Sequence, residues 1–502
     1  MKRIGILLSV INLAVFPMRS LSASPLTDRG LRLSLNTAGL DILAKEIKKN
    51  VLNSVERARL PDIKDKVDYD IDVEVKDLEY SVNFTHLRIF PQQGSLGLEL
   101  GVKDIKIEIP SIKASKKVLV RLSTTCRDTQ IKIAQSKVLT LSASLPLAVD
   151  QNNIETKIEH VQFQIPDDQY MVVGPGSCSG ALGTGTLIKS VARNILKKSK
   201  QNIVDAVRDN LGKAEKGLEQ ELNRIAHQTL DLRGSVLPGL PKIDLALKLS
   251  PFDVMIDNQQ LGIEFAIDTS KNALKLHHKN PLHAWPSWSE EYMGAIGVNP
   301  ELLNEAIADW LSRQPNGFYL DDSDLPALAG FLRRGVAGNA WPNLALMNLT
   351  SDDLRLKLNF RKDPRIFFDE SSNNLHIVAN VVLTFEIELN GKWVDYYHLT
   401  LDLAAFAFIR LDGDLLEIGF TDVPNADWSG QFADGFDPEL EHARREVLDI
   451  MVYGIMQGLY DEGAFLSLWI PTLYLGGKYV KSSALYYESP YISAALQASD
   501  EP

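Results

Sequence analysis

The sequence predicts an α+β fold in which long, one-sided antiparallel strands lie along long amphipathic helices, an arrangement built twice in the chain. Three observations carry this prediction. Apolar residues alternate with polar ones over long stretches, as in strands with one dry face. One segment of about forty residues repeats instead at three and four, which reads as a single helix roughly 60 Å long. The order helix, long sheet, long helix then recurs after a proline-bearing linker.

Taken in order, Lys2-Arg3, the apolar run Ile4 to Phe16 and the small residues Ser20, Ser22, Ala23 and Ser24 read as a signal peptide over residues 1–24. Cleavage is expected between Ser22 and Pro25. The run is too short to span a bilayer, which takes about 20 apolar residues, so the expectation is an extracytoplasmic protein, secreted or periplasmic. A strand follows at Leu31 to Leu35. Asn36 or Thr37 then caps a helix expected to run to about Ala58, where Leu60-Pro61 stops it. Leu40, Leu43, Ile47, Val51 and Val55 form its apolar stripe.

The period then becomes two. Val67, Tyr69, Ile71, Val73 and Val75 alternate with polar residues, as do Leu96, Leu98, Leu100 and Val102. Ile105, Ile107 and Ile109 continue the pattern after a one-residue slip, as at a β-bulge or bend. Strands are expected near Val118 to Leu122, Leu139 to Val149 and Ile154 to Phe163. Beyond Gly174 to Gly185 the helical period runs from Ile188 to Ile225. A helix of that length must lie along something elongated, and the long strands are the candidate.

Val236 to Pro241 is the best linker, dividing a first half (25–235) from a second (245–495) across residues 236–244. Strands Leu245 to Leu249 and Leu261 to Ile267 precede a helix opened by Asn299-Pro300, with Leu303, Ile307, Trp310 and Leu311 inward. Leu354 to Phe360, Leu375 to Leu389 and Tyr397 to Phe408 alternate again. Asp412-Gly413 signals a hairpin before Leu415 to Phe420. Asp437-Pro438-Glu439 is expected to start a late helix with Leu448, Val452 and Ile455 on its apolar side.

Charge bounds the function. The chain has 502 residues and a net charge of −12, which disfavours nucleic acid as a partner. The charge is uneven: +4 over residues 25–240 and −19 over 241–502. Two cysteines are too few for a disulfide scaffold or a Cys-rich zinc domain. Export permits Cys126 and Cys178 to pair, the alternative being two buried thiols.

Gly176-Ser177-Cys178-Ser179-Gly180 has the outline of a nucleophile elbow, without an identified histidine and acid to complete it. The nearby glycines match no phosphate loop or dinucleotide fingerprint. His277, His278 and His283 sit in a segment that reads as a solvated loop rather than a metal site. Asp321, Asp322 and Asp324 lack the glycine and closing glutamate of a calcium loop. Asn83 and Asn348 stand in glycosylation triplets. No metal, cofactor or catalytic constellation is expected, and the signal lies in apolar surface. Curved sheets closing on a helix leave either a filled core or an elongated dry pocket, where each methylene of a bound acyl chain gains about 0.8 kcal/mol.

The stretch Leu31-Arg32-Leu33-Ser34 to Ala38-Gly39-Leu40-Asp41, the helix leading to Arg59-Leu60-Pro61-Asp62, the cysteines at 126 and 178, the linker at 236–241 and the element order from Leu354 to Tyr491 together resemble one family. It is that of bactericidal/permeability-increasing protein, lipopolysaccharide-binding protein and cholesteryl ester transfer protein. The resemblance implies an elongated boomerang of two tubular lipid-binding barrels joined by a central sheet, with a lone Cys126–Cys178 disulfide. It also implies phospholipid, lipopolysaccharide or neutral lipid as ligand, without covalent chemistry. Leu40, Leu43, Ile47, Val51, Val55, Val67, Tyr69, Ile71 and Val73 would then line the first pocket. Leu303, Ile307, Leu311, Leu448, Val452 and Ile455 would contribute to the second. The first half is less basic than in the lipopolysaccharide-binding members, which favours lipid carriage or sensing over lipopolysaccharide neutralisation. A second reading is recognition of an anionic lipid surface by Lys113, Lys116, Lys117, Lys197, Lys198 and Lys200. An outer-membrane barrel would explain the strands but not the two long helices, and a secreted hydrolase lacks its triad.

Overall fold

A computed structural model describes residues 30–52, 55–67, 71–117, 121–133, 137–165, 170–180, 184–236, 240–269, 291–320, 330–369, 374–436, 442–463, 465–470, 472–488 and 491–499. The signal segment, Tyr69, the histidine cluster, the Asp321–Asp324 cluster and Asp437-Pro438-Glu439 lie outside these. Two large antiparallel sheets, of ten and fifteen strands, carry most of the described chain, with few helices.

The first sheet is organised about one 23-residue strand, Ser95–Lys117. On one side it pairs with Leu139–Leu145 through residues 96–102, then with Arg121–Ile133 from Ile105 onward. On the other it pairs with Glu79–Gln92 and then Ile71–Lys76. The hand-over falls at Asp104, which adopts φ 51°, a left-handed conformation that aspartate enters more readily than most residues. This is the slip visible in the sequence: it restores Ile105, Ile107 and Ile109 to the dry face already formed by Leu96, Leu98, Leu100 and Val102.

Helix α1 (Thr37–Val51) begins at Asn36, whose Oδ1 accepts from the N–H groups of Ala38 (3.0 Å) and Gly39 (3.2 Å). It ends at Val51, earlier than the helical spacing suggests, because Val55–Arg59 pairs as a strand with Glu79–Asn83. Backbone pairing to a long strand outweighs a weak helical preference, so Val55 leaves the stripe. Helix α2 (Thr184–Ala226) has 43 residues, about 65 Å. Val191, Ile195, Ile203, Val207, Leu211, Leu218, Leu222 and Ile225 bury one face of it. α1 meets α2 at Gly217, where a Cβ would stand 3.0 Å from Ile47 and 3.1 Å from Val51.

The other side of α2 clasps a separate hairpin, Leu147–Asp150 with Asn153–Thr156. Asn223 accepts from the Ile154 N–H (2.8 Å) and donates to its carbonyl (2.7 Å), while Glu219 accepts from Thr156 N–H and Glu215 from Ile158 N–H. Residues four apart on a helix share a face, so these three side chains stand in for a neighbouring strand.

In the second sheet, Leu31–Asn36 lies in the interior, paired on one side with Gln260–Thr269 and on the other with Gly294–Val298. Helix α3 (Pro300–Ser312) starts as its sequence suggests, with Asn299 Oδ1 accepting from Glu301 N–H at 3.0 Å and proline in the first turn. Asn304 fastens α3 to the strand Arg355–Asp369: its Oδ1 accepts from Ile366 N–H (2.7 Å) and its Nδ2 donates to Ile366 O (2.9 Å). Helix α4 (Arg334–Ala340) ends against the start of α5 (Arg445–Asp461). Arg444 is extended and donates its N–H to Ala340 O at 2.8 Å. That tie holds the backbone out of the helix until Arg445. Two-residue loops close the long hairpins, with Gly413 at φ 60° and Asn390-Gly391 at 51° and 75°.

Candidate apolar binding site

A slot opens between the central strands of the second sheet and the start of α3. Alternation sets its wall: Leu31, Val298 and Ile492 are register partners on three adjacent strands, so their side chains share one face. Ile296 and Ala494 extend that face, and Leu230, Leu232 and Leu247 continue it across the sheet. Leu302 and Leu303 of α3 cover it, and Leu416 and Leu468 close one side. Trp469, Ile470 and Leu485 complete the lining; Trp469 is 54% exposed and marks where the slot meets the surface.

Among the described residues, only apolar ones line this slot. Its cavity volume is about 50 Å³. That is well below the roughly 300–1,000 Å³ usual for small-molecule sites, so the slot is a narrow crevice that a bound chain widens by moving side chains. Water gains nothing there, since apolar cavities of this kind stay dry. A hydrocarbon chain is the ligand chemistry that matches.

A second cleft, of about 800 Å³, differs in character. Lys64, Lys66, Asp72, Glu74, Lys113 and Ser115 line it with Val73 and Thr125 of the first sheet. Lys198 of α2 lies 2.6 Å from Asp65 at its edge. The Lys198 ammonium, then the Asn194 amide, hold the Asp65 carboxyl down at about 2. Lys198 is therefore committed within the fold.

Of the sequence-selected residues, only Leu303 lines the slot. Leu40, Leu43 and Ile47 are wholly buried on α1, and Val51 is half-buried beside Gly217. Val55 sits on a strand, and Val67 ends the strand Ile63–Val67. Ile71 is half-buried; Val73 is buried and borders the polar cleft. Ile307, Leu448, Val452 and Ile455 are buried, and Leu311 is half-buried. Sequence reasoning missed most of the slot, including Leu31, Leu230, Leu232, Ile296 and Ile492. The alternation Leu31-Leu33-Leu35 and Leu230-Leu232 was the available signal. Cys178 lies opposite Cys126 on paired strands and is disulfide-bonded to it, which excludes it as a free nucleophile.

No protein-family model and no curated protein matches the sequence. Among solved structures, lipopolysaccharide binding protein is similar over 94% of this chain and 99% of that one, at 14% identity and a TM-score of 0.45. P47 of Clostridium botulinum E1 is similar over 93% and 98%, at 10% identity and a TM-score of 0.30. P47 from Clostridium botulinum A2 gives 94% and 97%, at 10% identity and 0.28.

Proposed function

We propose that this chain is an exported, non-catalytic lipid-binding or lipid-transfer protein that holds an acyl chain in the slot beneath α3. The observation that carries the reading is a narrow, surface-connected crevice whose described lining is wholly apolar. Each methylene moved into it from water gains about 0.8 kcal/mol, so a long chain binds without any specific polar contact. In this reading each half, 25–235 and 245–495, is a tubular unit in which a sheet wraps its helices, joined through residues 236–244 and the central strands. Leu303 touches the ligand directly. Leu40, Leu43 and Ile47 with Val73 in the first half, and Ile307, Leu448, Val452 and Ile455 in the second, wall the tubes. The Cys126–Cys178 bond suits an oxidising compartment outside the cytoplasm.

Native mass spectrometry of the purified chain tests this, alongside uptake of a fluorescent phospholipid. Ala494 faces the slot and is buried, so Ala494→Phe fills it. The expected result is bound lipid in the wild type and at least tenfold weaker uptake in the variant. Leu303→Phe fills the slot from α3 and guards against misfolding of the first variant. A wild-type protein with no lipid and no uptake overturns the reading, as does undiminished uptake in both variants.

A further inference from the structure

The acidic second half conceals a basic face. Five of its 19 basic residues, Arg355, Lys357, Arg361, Lys362 and Arg365, fall on the single strand Arg355–Asp369, with Asp363 the one acid between them. None of the five forms a salt bridge among the described residues, and Arg365 feels Glu305 of α3 only as a longer-range charge. Four of them are exposed and Lys357 is half-buried.

Register shows what lies beside them. Arg365 pairs with Val378, which pairs with Ala404; the next row toward the sheet end is Phe367, His376 and Phe406. In that row Phe367 is 38% and Phe406 is 49% exposed, on either side of His376. The imidazole stacks on Phe367 with centroids 5.5 Å apart and leans on Phe406 at 4.6 Å. Two hydrocarbon rings are thus held outward on rigid strands, next to Lys362 and Arg365; farther along the strand Arg355 lies over the Tyr319 and Trp393 rings and Lys357 over Tyr319.

We infer that this end of the second sheet docks on an anionic lipid bilayer, with Lys362 and Arg365 meeting headgroup phosphates and Phe367 and Phe406 seated at the hydrocarbon boundary. Charge complementarity selects an anionic partner against a background of −19. The exposed phenylalanines, which form no hydrogen bond, favour a bilayer over a soluble polyanion, since basic residues beside apolar rings are what interfacial segments present. This surface is separate from the slot, and the inference stands whether or not the slot takes an acyl chain.

The experiment is co-sedimentation of the full chain with vesicles of phosphatidylcholine containing phosphatidylglycerol, against phosphatidylcholine alone. Each basic residue near such a surface contributes about a fivefold change in partitioning, so Lys362→Gln with Arg365→Gln weakens binding about 25-fold. Phe406→Ser weakens it further, and lowering salt does not restore the loss. Ala494→Phe, which fills the slot, leaves vesicle binding unchanged, separating this result from the lipid-carriage reading. Full binding by the double variant overturns the inference. So does loss of binding only when Lys113 and Lys117 of the first half are replaced, or equal binding of heparin by wild type and Phe406→Ser with no preference for vesicles.

Discussion

Asn304→Leu tests the joint that positions the slot's cover. Asn304 is 7% exposed and Ile366 is fully buried, so water cannot replace the two bonds between them. Leucine preserves the volume but strands the Ile366 N–H and carbonyl, each at about 1–3 kcal/mol. Its better burial and helix preference return about 1–2 kcal/mol. The net expectation is a loss of about 2–4 kcal/mol, read by denaturant unfolding. Exchange of the Ile366 amide should accelerate about a hundredfold, since 1.4 kcal/mol is a factor of ten. Leu302 and Leu303 immediately precede Asn304 on α3, so lipid uptake should fall as well. Asn304→Asp sharpens the reasoning, because a carboxylate accepts from the N–H but repels the carbonyl. Burial and that carbonyl raise its carboxyl above the ordinary range. The variant's deficit is therefore largest above that raised value and shrinks as acid protonates the group into a donor. A loss under about 1 kcal/mol in Asn304→Leu, with Ile366 exchange unchanged, refutes the argument.

Two further outcomes follow from the first half. Gly217→Val drives a branched side chain into Ile47 and Val51 where α1 meets α2, and overpacking of this kind costs about 1–3 kcal/mol; thermal unfolding should show it, and an unchanged Tm would mean that the helices part freely. Asp65 has its carboxyl lowered to about 2 by Lys198 and Asn194, so its contribution is complete above the ordinary carboxylate value and fades as pH falls toward 2. Asp65→Asn should speed amide exchange in Ile63–Val67 and around Asn194 at neutral pH, while at pH 2 variant and wild type should converge.

The longest elements were legible in the sequence because their period runs far enough to be unambiguous, although the strand Glu79–Gln92 escaped it and the alternation from Val67 to Val75 folds as two paired strands, Ile63–Val67 and Ile71–Lys76. α2 announces itself over forty residues, and the slip between Val102 and Ile105 brackets the bend that the structure places at Asp104. The end of α1 was hidden, since Val51 and Val55 are spaced as a helix would have them and only the partner strand Glu79–Asn83 decides otherwise. The slot was hidden for a deeper reason. Alternation marks Leu31, Ile296 and Ile492 as inward, yet it says nothing of how much opposing volume is filled. Their adjacency depends on pairings across about 190 to 270 positions. Net charge misled in the same way: −19 for the half averages away the basic face of one strand.

The place of Leu31–Asn36 has a consequence for biosynthesis. Leu33 waits for Ile263 and Ile296 as its two neighbours. At about 5–20 residues per second of synthesis, the second sheet's middle strand stays single for roughly 10–50 s after it is made. During that time it offers two unsatisfied backbone edges and three leucines to any passing chain. An early segment is thus inserted between strands made more than 200 residues after it. A protein shortened at its start would lose the seam along which its sheet is closed, while both flanking strands remained in place with bare edges facing each other.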